Sequence, residues 1–173
     1  MNVVGIDASL TGTAVCILDQ DGNLTMSRHG SKPAAGLAAR MLRYEQMVTA
    51  VRNDVKKSKA DLIIIEGYSY GSKGRSVIDL GEYGGLLRNM LLDYARVLEI
   101  APTSVKKYIT GSGNAKKLLM ATTIAKKYDV EFTTDDEYDA YAIASIAATV
   151  MEWCEPTNQH QRDVIASLRE QLS

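Results

Sequence analysis

The chain has 173 residues, of which 46% are hydrophobic and 24% are charged, and its formal net charge is −1. This length and composition are typical of one globular domain, and the charge balance by itself favours no class of partner. No apolar run reaches the roughly 18 residues of a membrane span, and the N-terminus lacks a signal-peptide pattern, so we expect a cytoplasmic protein without a membrane partner.

The first three elements are predicted to be strands. Residues 2–7 are a short apolar run that ends in Asp7, and residues 13–19 are a second run. The turn sequence Asp21-Gly22-Asn23 then leads to a third strand over 24–28. Short strands joined by short turns predict an antiparallel, three-stranded meander.

Helices alternate with two further strands in the rest of the chain. Apolar residues at alternating spacings of three and four predict a helix over 34–58, and the β-branched run 61–66, which ends in Glu66, predicts a buried central strand. A polar loop follows over 67–75. The remaining predicted elements are a helix over 78–94, a strand over 97–101, a short helix after Pro102, helices over 115–128 and from Asp135 onward, and a short amphipathic helix after Glu155.

This element order predicts an α/β fold. The sheet is expected to be mixed and five-stranded, with three antiparallel strands and then two further parallel strands, and helices are expected to flank it. We assign residues 1–155 to one domain and residues 156–173 to a C-terminal tail whose short helix packs on the same domain.

The charges are unevenly distributed along the chain. An acidic stretch over 129–139 directly follows a basic region over 101–128, which has no acidic residue. A basic surface beside clustered carboxylates suits a metal-dependent phosphodiesterase, which must attract a polyanion and hold cations that act on it. Two solvated helix faces of opposite sign would give the same pattern. The lysines of the basic region are Lys106, Lys107, Lys116, Lys117, Lys126 and Lys127.

Four acidic residues are candidates for one site. Asp7 and Glu66 end two predicted strands, and ligand sites of open α/β sheets lie beyond the carboxyl ends of strands. Asp136 and Asp139 are three residues apart, hence on one face of their helix. The alanines that follow them let this helix pack closely on the sheet. Each acid alone has a plainer interpretation as a turn or first-turn residue.

Two neighbouring acids have a structural interpretation instead. Thr134 and Glu137 match a capping box, and Asp135 stands in the first turn, where a carboxylate favours the helix dipole.

Four converging carboxylates suit hard divalent cations such as Mg²⁺, for which Mn²⁺ substitutes. Two such ions, about 3.5–4 Å apart, activate a water and stabilise the departing oxygen of an in-line phosphodiester displacement. The two cysteines and two histidines show no ligand spacing.

The ordered motifs resemble one family. Gly5-Ile6-Asp7, Ile65-Glu66 and the segment 136–144, in this order and spacing, are similar to the RuvC-type Holliday-junction resolvases, which have the ribonuclease-H-like fold. The segments 105–107 and 111–117 resemble the basic segments of that family. The resemblance covers about residues 2–150 and implies an endonuclease that resolves four-way junctions by paired, symmetric nicks.

The resemblance also implies roles for single residues. Asp7 would bridge two metal ions, and Glu66, Asp136 and Asp139 would complete the ligand set. Lys117 would act with them as a catalytic residue beside the scissile phosphate. Lys106 would lie there too, whereas Lys107 and Lys116 would be looser phosphate contacts. Members act as homodimers, and the glycines of the 78–94 helix (Gly81, Gly84, Gly85) are a candidate interface. A branch-migration or recombination partner stays unknown.

The chain departs from the family pattern at two places. Ala8-Ser9 replaces the usual Pro-Gly after the first acid, and Ser69 stands where the family often has a junction-stacking aromatic. Tyr68 or Tyr70 can supply the stacking surface instead, and Lys73 and Arg75 of the same loop are further expected DNA contacts.

Three alternatives stay open. The first is a broader endonuclease that cuts forks, flaps or three-way junctions. The second is a catalytically weak protein that only binds branched DNA. An actin-like ATPase fragment is the third, although the chain is too short for two lobes.

Overall fold

A computed structural model describes residues 1–68 and 75–172, without the side chains of Arg75 and Ser76. Its five strands form one sheet with the spatial order β3-β2-β1-β4-β5. The strands are β1 (Asn2–Asp7), β2 (Thr13–Asp19), β3 (Leu24–His29), β4 (Leu62–Glu66) and β5 (Arg96–Ile100). The first three strands pair antiparallel, and β4 and β5 pair parallel to β1 and to each other. The predicted mixed sheet is confirmed.

Six helices flank the sheet in the described ranges. They are α1 (Leu37–Ser58), α2 (Arg75–Leu91), α3 (Pro102–Thr110), α4 (Lys117–Tyr128), α5 (Asp135–Val150) and α6 (Gln159–Glu170). One apolar core lies between the sheet and α1 with α2, and a second lies between the sheet and α5, with residues from α3, α4 and α6. The molecule therefore has three layers, with the sheet in the middle.

The closest contact between layers is that of α5 with β1. A Cβ atom on Gly5 would stand 2.3 Å from the backbone nitrogen of Ala144 and 2.4 Å from the carbonyl oxygen of Ala140. Only glycine fits there, because these neighbours are backbone atoms that cannot turn aside. The small residues of α5 thus place its first turn near the end of β1, as the alanine pattern predicts.

Three helices have limits that differ from the sequence prediction, which gave 34–58, 78–94 and 115–128. The last of these, α4, begins at Lys117. α1 begins at Leu37 because Gly36 has φ 83°, outside the helical region. α2 runs over 75–91, and residues after Leu91 close tighter turns, such as the bond from the Tyr94 nitrogen to the Leu91 carbonyl.

α6 completes the second core. Its Val164, Ile165 and Leu168 are buried in the same cluster as the α5 residues. The division of the chain at residue 155 stays a prediction. Within residues 1–68 and 75–172, no helix is both long enough and apolar enough to cross a bilayer.

Candidate active site

The carboxyl ends of β1 and β4 bring Asp7 and Glu66 together. Ile6 pairs with Ile65 in the parallel ladder, and continuing the register by one residue sets Asp7 beside Glu66. Because β-strand side chains alternate between faces, both acids share the face that holds Gly5, which α5 covers. Asp7 is only 7% exposed and Glu66 is half-buried.

The first turn of α5 brings two further acids to the same place. Thr134 caps the helix: its Oγ1 accepts from the Glu137 backbone N–H, and the Glu137 carboxylate accepts from the Thr134 N–H at 2.8 Å. The predicted capping box is therefore confirmed. It fixes the start of the helix and leaves Asp136 and Asp139 free for other roles, both of them half-buried.

Burial and mutual repulsion raise the pKa values of this cluster. For Asp7 the main cause is burial, followed by the charges of Glu66, Asp139 and Asp136, and a hydrogen bond with Glu66 favours the proton on Asp7. Burial and the Asp139 charge likewise raise the pKa of Glu66. Asp139 reaches a pKa of about 6, again mainly through burial. Carboxyl groups perturbed in this way mark candidate functional sites.

The donor set fits a hard divalent cation, because every member is a carboxylate. Among the residues that the structure describes, however, no three acidic, histidine or cysteine side chains are close enough together to hold one ion. Like charges without a counterion repel one another, which opposes such a close arrangement. A cation would have to draw the carboxylates together as it neutralised them.

Two predicted lysines lie close to the acids. The charges of Lys106 and Lys117 lower the pKa values of both Glu66 and Asp139, partly offsetting burial. Lys117 also forms an ion pair with Asp135 at 3.4 Å. Asp135 thus has a partner besides the helix dipole, which the sequence interpretation did not include.

The other two lysines of the basic segments differ from each other. Lys116 is exposed at the N-terminus of α4. Lys107 is directed to α6 instead, where its ammonium pairs with Asp163 at 3.0 Å. A phosphate contact by Lys107 would require this ion pair to break.

Of the loop residues with expected DNA contacts, the structure describes Tyr68. Its ring lies 4.2 Å from the Arg88 guanidinium, and its hydroxyl donates to the Gly81 carbonyl at 3.4 Å. A Cβ on Gly84 would stand 2.5 Å from that hydroxyl, so Gly84 makes room for the tyrosine. Gly81 and Gly85 have open space instead. Tyr70 and Lys73 lie outside the described residues, as does the side chain of Arg75.

Two arginines belong to the site although the sequence analysis missed them. Arg88 of α2 donates from Nη2 to the Glu66 carbonyl at 2.9 Å and from Nη1 to the Gly84 carbonyl at 3.2 Å, and it pairs with Glu99. Arg28 of β3 forms a salt bridge with Asp136. Neither carries a motif, and each contacts a residue that is distant in sequence.

A carboxylate cluster at the ends of β1 and β4, under the first turn of α5 and beside two lysines, defines a nuclease of the ribonuclease-H-like class. Similarity to known proteins identifies the family. The family model for crossover junction endodeoxyribonuclease RuvC matches residues 3–147. The chain belongs to that family, and the sequence-based prediction of family, fold and endonuclease class is confirmed.

Relatives match over nearly the whole domain. Crossover junction endodeoxyribonuclease RuvC from Sulfurovum sp. is 31% identical over 152 residues, covering 83% of this chain and 92% of the relative. The Carboxydothermus hydrogenoformans protein of the same name is 26% identical over 148 residues, with coverages of 83% and 93%.

Solved structures agree on the fold. Thermus thermophilus RuvC in complex with a Holliday junction substrate has a TM-score of 0.74 and 18% identity, covering 90% of this chain and 99% of that one. The yeast mitochondrial Holliday junction resolvase Ydc2 has a TM-score of 0.58 and 16% identity, with coverages of 97% and 81%.

Proposed function

We propose that this chain resolves four-way DNA junctions by paired, symmetric nicks, with two Mg²⁺ ions in each active site and Mn²⁺ as a substitute. The observation that carries the proposal is the cluster of the buried Asp7 with the half-buried Glu66 and Asp139, whose pKa values are all raised. Such a cluster is unfavourable without cations, which fits the divalent-metal dependence of the family.

Asp7 would be shared between the two ions, since it lies beside Glu66 and the charges of both α5 acids, Asp136 and Asp139, act on it. Glu66 and Asp139 would hold the ions on either side, and Asp136 would complete the set. Divalent cations, when bound, supply Lewis-acid activation of a water and stabilise the leaving oxygen. The chain's own contribution is to give up the proton between Asp7 and Glu66 and to fix the carboxylates on rigid strand ends.

The basic residues would hold the DNA backbone. The charges of Lys106 and Lys117 act on Glu66 and Asp139, so these two lysines would contact the scissile phosphate, with Lys116 as a neighbouring contact. Lys107 would contact the DNA backbone only if its ion pair with Asp163 broke. The loop residues Tyr68, Tyr70, Lys73 and Arg75 would contact the branch point. Tyr68 is 38% exposed and packs against the Arg88 guanidinium, so stacking on a base would compete with this contact.

We propose a homodimer because a two-fold junction needs two equivalent active sites. Ile78, Gly81 and Gly85 are spaced by three and four residues and so share one face of α2. Ile78 is 63% exposed and the two glycines have open space, which suits close approach of a second copy.

The test is cleavage of synthetic four-way, three-way, forked and linear substrates of matched sequence with Mg²⁺, Mn²⁺ or chelator. We expect the four-way junction to be cut at least about tenfold faster than the others, a barrier difference of about 1.4 kcal/mol, and only with metal. On a cruciform plasmid, two nicks during one encounter should give linear product without accumulated nicked circle.

Other outcomes would overturn the proposal. Equal cleavage of all branched substrates would support the broader branch-cutting enzyme instead. Tight branched-DNA binding without product under any divalent ion would support a binding protein. Accumulated nicked circles would contradict paired cutting by a dimer.

Lys117 gives a second prediction. Lys117→Ala should slow cleavage by about 10²-fold, because it removes a cation aimed at the reacting phosphate, and should lower the slope of log affinity against log salt by about 1. Salt-dependent binding and single-turnover cleavage measure the two effects. Lys57→Ala, in the last turn of α1, is the matched control and should change neither. An unchanged salt slope for Lys117→Ala would exclude its phosphate contact.

A further inference from the structure

The edge strand β3 places a cation on the same face as the acids. Arg28 pairs with Ala14 of β2, and Ala14 pairs with Asp7 of β1, so the three residues form one row across the sheet. Directly opposed strand residues point to the same face. Two strand spacings, roughly 9–10 Å, separate the Arg28 and Asp7 backbones, and the small Ala14 lies between them.

The turn after Asp7 makes room for this arginine. The Ser9 hydroxyl accepts from the backbone N–H groups of Thr11 and Gly12, each at 3.2 Å. A Cβ on Gly12 would stand 2.0 Å from Nη2 of Arg28, so the guanidinium lies directly over this glycine. The Ala8-Ser9 departure from the family pattern therefore belongs to the same turn as Gly12, over which the Arg28 guanidinium lies.

The guanidinium holds one oxygen of Asp136. Nε donates to Oδ2 at 3.1 Å and Nη2 donates to the same Oδ2 at 2.9 Å. Both bonds end on Oδ2, and neither uses Oδ1. The two side chains are 36% and 24% exposed, so the pair lies at the rim of the site. The charge of Asp136 still acts on both Asp7 and Asp139.

We propose that Arg28 is a positioning residue that holds Asp136 by Oδ2 and leaves Oδ1 for a divalent cation, an inference that rests on the metal-dependent function proposed above. Hydrogen bonds to ligating carboxylates orient them, and loss of such a partner commonly weakens metal binding about 10- to 100-fold. A lysine cannot replace Arg28 fully, since a point charge does not fix the carboxylate plane as two N–H groups of one guanidinium do.

The direction in which metal affinity changes when Arg28 is replaced distinguishes positioning from simple electrostatics. Removal of a cation near a metal site strengthens metal binding through space. Loss of positioning weakens it. The experiment is calorimetric titration of the DNA-free, full-length chain with Mn²⁺, together with the Mg²⁺ dependence of junction cleavage.

Arg28→Gln should raise the Mn²⁺ dissociation constant and the half-activating Mg²⁺ concentration about 10- to 100-fold, with the cleavage rate recovering to within about threefold at saturating metal. Arg28→Lys should recover only part of the affinity. Arg169→Gln, which breaks the surface pair with Glu152, is the matched control and should behave as the wild type. In an Asp136→Asn background, Arg28→Gln should have no further effect on metal binding.

Unchanged or tighter Mn²⁺ binding by Arg28→Gln would overturn the proposal. So would normal metal binding with weaker DNA binding and a salt slope reduced by about 1, which would make Arg28 a phosphate contact. Thermal unfolding of the metal-free variant tests folding. A wild type that binds Mn²⁺ but cuts no junction would contradict the proposed function and leave the positioning test valid.

Discussion

Asp7→Asn should abolish junction cleavage while leaving the metal-free protein at least as stable as the wild type. The rate should fall by at least about 10³-fold, which corresponds to the loss of several kcal/mol of metal-based transition-state stabilisation. Stability should not fall, because Asp7 favours its protonated form in the metal-free fold and hydrogen-bonds to Glu66 in that form. An asparagine amide donates a similar bond and cannot ionise.

This variant is informative because activity should fall while stability should not. If Asp7 were merely structural, its substitution would destabilise the protein. If it is a metal ligand, the substitution removes activity and also the increase in melting temperature that Mg²⁺ produces. Asp61→Asn is the matched control, because Asp61 precedes the other end of β4 and accepts from the Asn2 backbone N–H at 2.8 Å. It should leave cleavage and the Mg²⁺ effect unchanged. Cleavage by Asp7→Asn at a rate near that of the wild type would exclude the bridging role.

The strand ends and the helix that covers them could be predicted from the sequence because their determinants are local. An apolar run that stops at Asp7 or Glu66 marks the end of its strand. The alanines of α5 indicate close packing on the sheet wherever along the helix the contact falls. Gly5 completes this picture, since its lack of a side chain lets the α5 backbone approach β1. Because β1 and β4 are parallel neighbours, their carboxyl ends then place Asp7 and Glu66 side by side.

The arginines could not be predicted because their partners are set by tertiary structure. Arg28 and Asp136 are 108 residues apart and meet only because β3 is the edge strand beyond β2. Arg88 lies in the last turn of α2 and donates to the carbonyl of Glu66, which is 22 residues earlier in the chain. Side-chain contacts across layers leave no periodic pattern in the sequence.

The charge of a segment likewise says little about which cations are available. Lys106 and Lys107 are adjacent in sequence, but their charges serve different neighbours. Lys106 acts on Glu66 and Asp139, whereas Lys107 pairs with Asp163 of α6. The partner of Lys107 comes from the C-terminal tail, whose helix the sequence analysis treated only as packing.

Without metal, the protein should lose stability as pH rises from 5 to 8. The pKa values of Asp7, Glu66 and Asp139 are raised in the fold, so the native state binds more protons than the unfolded chain. Their contribution to stability is complete below the unfolded pKa values of about 4 and is lost as pH rises through the folded ones, which begin at about 6 with Asp139. We expect the melting temperature to fall by at least about 5 °C over this range.

Saturating Mg²⁺ should reverse this trend, because a cation binds the ionised carboxylates and must displace the proton between Asp7 and Glu66. The difference in melting temperature with and without Mg²⁺ should therefore grow as pH rises. Calorimetry in buffers of different ionisation enthalpy should detect proton release on metal binding, and Asp7→Asn should release fewer protons. Asp61→Asn should match the wild type. Metal-free stability that is constant or rises from pH 5 to 8 would contradict the repulsion between these acids, and with it the physical reason that this site needs cations.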